Sequence, residues 1–434
     1  MRLTSTSGSS TPVTFRHALL EGLAPDGGLY LPDEIPAFSS SEIAALRGAP
    51  LAEIAVAVLG RLVGDEFDRA QFDALVRDAF DFPAPTVGLG DGLSELELFH
   101  GPTLAFKDFG ARFLARVFGY LLEQRRGHAT ILVATSGDTG SAVAQGFFGV
   151  PRIRVVVLYP SGKVSPFQEA QMATLGGNVS ALRVPGTFDD CQRLVKQAFV
   201  DLGLRPLNLS SANSINIGRL LPQAVYYFDS YLGAAPAGGE VVFAVPSGNI
   251  GNLTAGVLAQ RAGLPVRRFV SATNANDVLP EYLLTGIYRA RPAVATLSNA
   301  MDVGDPSNFA RLAALHGGSW ERLRANVSGY RNTEEETRAT IRQTYEAHRY
   351  VLDPHSAVGV AAARRYRQEE ADATPVVSLA TAHPAKFGAA IRQELGFEPE
   401  LPARYRDWAS RPVLAETLAD AGYDAFRRWL LALD

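Results

Sequence analysis

A chain of 434 residues, nearly half apolar and about a fifth charged, is long enough for two or three domains that enclose a cleft. Its 41 basic and 45 acidic residues leave a formal charge of -4, which excludes the basic footprint of a nucleic-acid-binding protein. Cys191 is the only cysteine, so an internal disulfide is excluded and a reducing, cytoplasmic compartment fits. The most apolar early stretch, Leu51–Val63, is too short for a membrane span and carries Glu53 and Arg61, and the opening MRLTSTSGSSTP lacks the basic-then-apolar order of a secretion signal.

In chain order, residues 1–85 read as a mostly helical unit. The turn-rich LAPDGGLYLPDEIP precedes amphipathic helices expected from about Ser41, Ala52 and Asp68. Pro and Gly cluster in Asp81–Gly92, which marks a boundary. The rhythm then changes to apolar strands alternating with helices. Strands are expected at Thr130–Thr135, Ile153–Tyr159, Asn178–Pro185, Glu240–Pro246, Val266–Thr273 and Pro375–Ala382. Near-continuous apolar strands with helical crossovers predict an α/β fold with parallel sheets covered on both faces. The expected division is 1–85, an α/β lobe over 93–235, a second over 236–400, and a helical tail over 401–434. Thr333 with Glu336 fits a capping box, so the acidic run Glu334–Glu336 is read as a helix start.

Four stretches carry chemistry. FHGPTLAFKDFG sets Lys107 among apolar neighbours; desolvation lowers a lysine's pKa, and a neutral amine attacks carbonyls, although a lone lysine in such a setting more often snorkels. Thr135-Ser136-Gly137-Asp138-Thr139-Gly140 and Ser247-Gly248-Asn249-Ile250-Gly251-Asn252 are small, polar loops between a strand and a helix, where free backbone N–H groups suit an anion or simply cap the helix. Asn213-Ser214-Ile215-Asn216-Ile217-Gly218-Arg219 opens a helix expected to run to about Leu232, with Arg219 placed against the dipole and so available to an anion. No Walker A loop, dinucleotide fingerprint, HExxH, Cys/His metal spacing or G-x-S-x-G elbow occurs, so no metal is expected. An imine-forming lysine, a phosphate cradle, a hydroxyl-rich loop and a second anion site together match what pyridoxal phosphate needs.

With those stretches set in order beside VTFRHALLEGLAPDGGLYLP, SATNANDVLP, NAMDVGDPSNF and DPHSAVG, the chain resembles the threonine synthase family, in its bacterial and fungal branch, over roughly residues 10–400. The resemblance implies a fold like the tryptophan synthase β-subunit, with pyridoxal 5′-phosphate between two α/β lobes. It implies a lyase that turns O-phospho-L-homoserine and water into L-threonine and phosphate, the last step of threonine biosynthesis, through a Schiff base on Lys107. It further implies that Gly248, Asn249, Ile250, Gly251 and Asn252 bind the cofactor phosphate, that Thr381 meets the ring nitrogen, and that Asp138 lies near the 3′-oxygen. Thr135, Ser136 and Thr139 are implied for the substrate carboxylate, and Asn213, Ser214 and Arg219 for its phosphate. Many relatives of this fold carry Asn where Asp138 stands; a carboxylate there needs a proton or an intervening donor. The implied partner is the small-molecule substrate, with neither nucleic acid nor membrane, and a monomer and a dimer are both compatible. The alternatives are a serine/threonine dehydratase or other relative of the fold, a catalytically silent homologue that binds a phospho-ligand, and a sugar- or nucleotide-phosphate binder that uses no pyridoxal phosphate.

Overall fold

The computed structural model describes every residue except Ser136, Ala237, Asp372 and Asp434, and the side chain of Ala409. The first eighty residues carry the three expected amphipathic helices, Ser40–Ala45, Leu51–Val63 and Arg69–Ala79. They also hold a small antiparallel sheet in the order β2 (Val13–Thr14), β1 (Arg2–Ser5), β3 (Tyr30–Pro32). Strands of two to four residues are too short to show a period, which is why none was expected in this mostly helical unit.

Next come β4 (Thr86–Gly88) and β5 (Leu93–Glu97), then β6 (Ala129–Ala134), β7 (Ile153–Pro160), β8 (Val179–Val184) and β9 (Leu209–Ser211). They are followed by β10 (Val241–Pro246), β11 (Val266–Thr273), β12 (Val327–Arg331), β13 (Val376–Ala380) and β14 (Glu416–Thr417). One sheet has the order β14-β8-β7-β6-β9 and is parallel throughout. The other has the order β12-β11-β10-β13-β5-β4, parallel except for the β4–β5 pair. Every residue of β6, β10 and β13 is buried, as strands covered on both faces require.

Three expectations need correction. Strand β5, expected in the first lobe from residue 93, pairs in register with β13 (Leu93 opposite Val376) and so belongs to the second sheet. The tail, expected to be helical over 401–434, forms one α-helix, Tyr423–Leu431; β14 adds to β8, and Tyr405 and Trp408 pack with Leu104 and Phe167. Both partnerships join residues more than two hundred positions apart, beyond any local pattern. Likewise the helix expected from Asn213 to Leu232 is broken: a four-residue helix Ile217–Leu220, a tight turn at Leu221–Gln223, then Ala224–Ala234. Pro222 has no N–H to continue the ladder, so the break falls there.

This topology gathers the candidate loops. Thr135–Asp138 leaves the carboxyl end of β6, Asn213–Arg219 that of β9, Ser247–Asn252 that of β10 and Thr381 that of β13. Ligands of open α/β sheets bind at such ends. Among the described residues no helix is long and apolar enough to cross a membrane, and no His/Cys/Asp/Glu group could hold a metal.

Candidate active site

Lys107 is the first residue of the helix Lys107–Arg125 and is aimed by the turn before it. Asp108 closes that turn, accepting from Thr103 N at 2.8 Å and Thr103 Oγ1 at 2.6 Å. Leu104 sits there at φ 58°, left-handed backbone that a leucine adopts only under constraint. The constraint is visible: His383 N donates to Leu104 O at 3.0 Å and Phe106 N to Thr381 O at 2.9 Å, which sets buried Thr381 beside Lys107. Burial pulls the Lys107 amine down to about 8; the Asp138 carboxylate opposes this, and the Lys386 and Arg219 charges add to it.

Asp138 opens the helix Asp138–Phe147 and is buried. Its Oδ1 takes a 2.6 Å ion pair from Lys386 Nζ and a 2.9 Å hydrogen bond from Gln168 Nε2. Gln168 is oriented by a capping box, its Oε1 accepting from Ser165 N, so the amide N–H group is left for Asp138. Burial alone would raise the Asp138 carboxyl, but the Lys386 and Lys107 charges hold it well below the carboxylate range. Lys386 is thus the donor that a carboxylate at this position needs. Sequence reasoning passed over it, yet a signal exists: the chain has only four lysines, at 107, 163, 196 and 386, and two of them meet here. In a chain that otherwise uses arginine, a lysine between Pro384 and Phe387 stands out. Thr135 is buried with its hydroxyl oxygen accepting from Gly137 N and Gly140 N, so it shapes the loop and has only its O–H left to donate. Thr139 is partly exposed in the first turn, and Ser136 lies outside the described residues.

On the other side, Ile250 at φ 49° turns the chain into the helix Gly251–Arg261. A Cβ on Gly248 would fall 3.0 Å from Ala300 O and Met301 Cα, so only glycine leaves the backbone free to approach a ligand. Asn249 is exposed and fixed by Ser307, whose Oγ donates to its Oδ1 at 3.2 Å, and Asn308, whose Nδ2 donates to its carbonyl at 3.2 Å. Asn252 Oδ1 accepts from the phenols of Tyr226 (2.7 Å) and Tyr227 (2.8 Å), while its Nδ2 is buried without an acceptor. The two tyrosines, also missed in the sequence, set which end of that amide is left for a ligand.

Between these halves lies Arg219, buried, its Nη1 donating to Ala212 O and its Nε unpartnered. It packs over Gly110, where a Cβ would stand 2.6 Å from Arg219 O. Asn213 Oδ1 is also buried without a donor, and Ser214 Oγ is reached by Asn308 Nδ2 at 3.5 Å. Arg311, a further buried guanidinium that the sequence did not flag, donates to Tyr30 O, Ser214 O, Ile215 O and Asn308 Oδ1. Among the described residues neither arginine has a carboxylate at ion-pair distance. Burial pulls Arg311 down to about 9 and Arg219, with Asp108 opposing, to about 10.

These residues fit pyridoxal phosphate: a desolvated amine, a glycine cradle at a helix N-terminus, an orphaned Asn252 N–H and unneutralised buried cations. Replacing Tyr226 and Tyr227 together by phenylalanine is expected to weaken pyridoxal phosphate binding about 10–30-fold, the worth of losing an oriented hydrogen bond to a charged group. Titration of cofactor-free protein checks this; an unchanged Kd removes the tyrosines from the site.

Known proteins resemble this chain in sequence and in fold. The family described as "Pyridoxal-phosphate dependent enzyme" matches residues 90–382, "Threonine synthase N terminus" residues 2–80, and "Threonine synthase, C-terminal" residues 356–429. The chain is 44% identical to the threonine synthase of Haemophilus influenzae, over 96% of this chain and 97% of that protein. It is 42% identical to that of Escherichia coli K12, over 99% of each. The crystal structure of PLP-bound threonine synthase from Brucella melitensis superposes with a TM-score of 0.94 at 42% identity, covering 99% of this chain and 98% of that one. In sequence and fold, the chain belongs to the threonine synthase family of pyridoxal-phosphate-dependent enzymes.

Proposed function

We propose that this lyase converts O-phospho-L-homoserine and water into L-threonine and phosphate. The observation that carries the reading is the surplus of buried positive charge. Arg219 and Arg311 have no carboxylate partner among the described residues, Lys386 is matched only by Asp138, and orphaned Arg219 Nε shares the site with them. Leaving buried charge uncompensated is costly, so such a site is built for polyanions. A cofactor phosphate, a substrate carboxylate and a substrate phosphate supply the missing charge.

Bound pyridoxal phosphate supplies an electron sink for the carbon skeleton attached to the substrate nitrogen. Lys107 is its attachment amine, and the base once substrate takes that place. Its desolvated Nζ would take the proton from Cα and, once that proton has been passed on and the amine is neutral again, the proton from Cβ. The N–H groups of Gly248–Asn252 and the Asn252 amide would hold the cofactor phosphate, the Thr381 hydroxyl would face the ring nitrogen without lending it a proton, and Asp138 would lie near the 3′-oxygen. The Thr135–Thr139 loop, Ser136 included, holds the substrate carboxylate. Arg219, with Asn213 and Ser214, holds the ester phosphate and stabilises it as it leaves Cγ.

A dehydratase substrate carries no phosphate and would leave Arg219 unpaired, which argues against that alternative. The test is the visible spectrum of the purified protein, with O-phosphohomoserine added while phosphate and threonine are assayed. A cofactor band that shifts as both products appear in equal amounts is the expected result. A band with no phosphate release returns the dehydratase reading, and a protein that stays colourless with pyridoxal phosphate overturns the whole. Attachment of cofactor to the cofactor-free protein is expected to quicken from pH 7 to 9 as the neutral fraction of Lys107 grows, then level off, because its midpoint is about 8.

A further inference from the structure

We infer that Lys386 is a positioning residue of this centre: its ammonium holds Asp138 in place and cancels the carboxylate charge that would otherwise keep Lys107 protonated. The geometry is specific. Lys386 leaves the turn Pro384–Phe387, just past β13, and its side chain is fully buried. Its Nζ spends one N–H on Asp138 Oδ1 at 2.6 Å and another on Thr103 O at 2.9 Å. Thr103 also receives Gln171 Nε2 on its carbonyl at 3.0 Å and closes on Asp108, so the turn that aims Lys107 is anchored to the same ammonium. Lys386 therefore acts on Lys107 twice, through the backbone it holds and through the charge it balances.

The charged groups acting on Lys107 are Asp138, Lys386 and Arg219, with Asp108 acting on Arg219 and Lys386. Of these only Asp138 favours the protonated amine, and Lys386 is the group paired with it. Removing Lys386 leaves the carboxylate to be matched by Lys107 itself. At short range in a desolvated site, loss of such a compensating charge is worth one or more pH units.

The inference rests on Lys107 being the attachment amine, and the experiment separates the two. Cofactor-free protein is mixed with pyridoxal phosphate between pH 6.5 and 10. The visible band is followed as the neutral amine adds its electron pair to the aldehyde carbon and one water leaves. In Lys386→Gln the midpoint of the rate profile is expected to rise by about one unit or more, so that attachment at pH 7.5 slows roughly tenfold. In the double variant Asp138→Asn with Lys386→Gln, the charge and its counter-charge are both gone. The midpoint is then expected back near that of the unaltered protein, a coupling that loss of structure at Lys386 alone would not produce. In the double variant the carboxylate that Lys386→Gln strands is itself gone, so it reports on the inference even where the single variant fails to fold. An unmoved midpoint in Lys386→Gln, or a midpoint still raised in the double variant, overturns the inference. Failure of the unaltered protein to form the band overturns the assignment of Lys107 instead.

Discussion

Lys107→Ala is expected to abolish the visible cofactor band and to lower phosphate release from O-phosphohomoserine by at least ~10⁴-fold, the combined loss of an attachment point and a general base. The fold is expected to survive. Lys107 makes no ion pair among the described residues, and its ammonium stands at a helix N-terminus, where the dipole disfavours positive charge. Asp138 keeps Lys386 and Gln168 as partners, so no carboxylate is stranded. A Tm within a few degrees of the unaltered protein, measured on cofactor-free samples, would therefore accompany the loss of activity. Turnover above about one per cent would show that another group takes the protons.

The second large effect is expected at Arg219, and it has two opposite signs. Arg219→Met keeps most of the side-chain volume while removing a guanidinium that is buried without a carboxylate. The kcat/KM for O-phosphohomoserine is expected to fall about a hundredfold to a thousandfold, or ~3–4 kcal/mol, as for losing one partner of a buried charge pair. The same change removes an uncompensated buried charge from the ligand-free protein, so its Tm is expected to stay level or rise. With pyridoxal phosphate filling the Gly248–Asn252 cradle, inorganic phosphate should raise the Tm of the unaltered protein and not that of the variant. Arg219→Lys should recover only part of the activity, since a point charge does not reproduce the guanidinium's fork of donors. An unchanged kcat/KM in Arg219→Met removes this residue from the substrate site.

What the sequence showed depended on how local the cause was. The strand Val266–Thr273 was legible to the residue because turn residues bound it, Gly263 and Pro265 before it and Asn274 and Asn276 after it. The capping box at Thr333 was legible because both hydrogen bonds lie within three residues. Lys107 and the glycine loops stood out in the sequence by composition alone, as a lysine among apolar residues and as glycines set between a strand and a helix. Lys386, Arg311 and the tyrosine pair on Asn252 were not, because what each does is fixed by a partner far along the chain. Thr103 and Lys386 are 283 positions apart, and Arg311 and Tyr30 are 281. For Lys386 the scarcity of lysine was the one clue available without coordinates. The lobe boundary at residue 93 misled for the same reason, since nothing local reports that Leu93–Glu97 pairs with Val376–Ala380.

The turn that carries Lys107 is pinned almost wholly by later residues: Thr381 and His383 through the backbone, Lys386 through Thr103, and Arg404 and Tyr405 through Gly101. During translation at about 5–20 residues per second, roughly 15–55 s separate the emergence of Thr103 from that of Lys386. Until then β5 has no β13 to pair with and Leu104 nothing to hold its left-handed backbone. A nascent chain thus exposes an ordinary, hydrated lysine to the cell's aldehydes, and that lysine acquires its selectivity for one of them only when the ribosome is nearly finished.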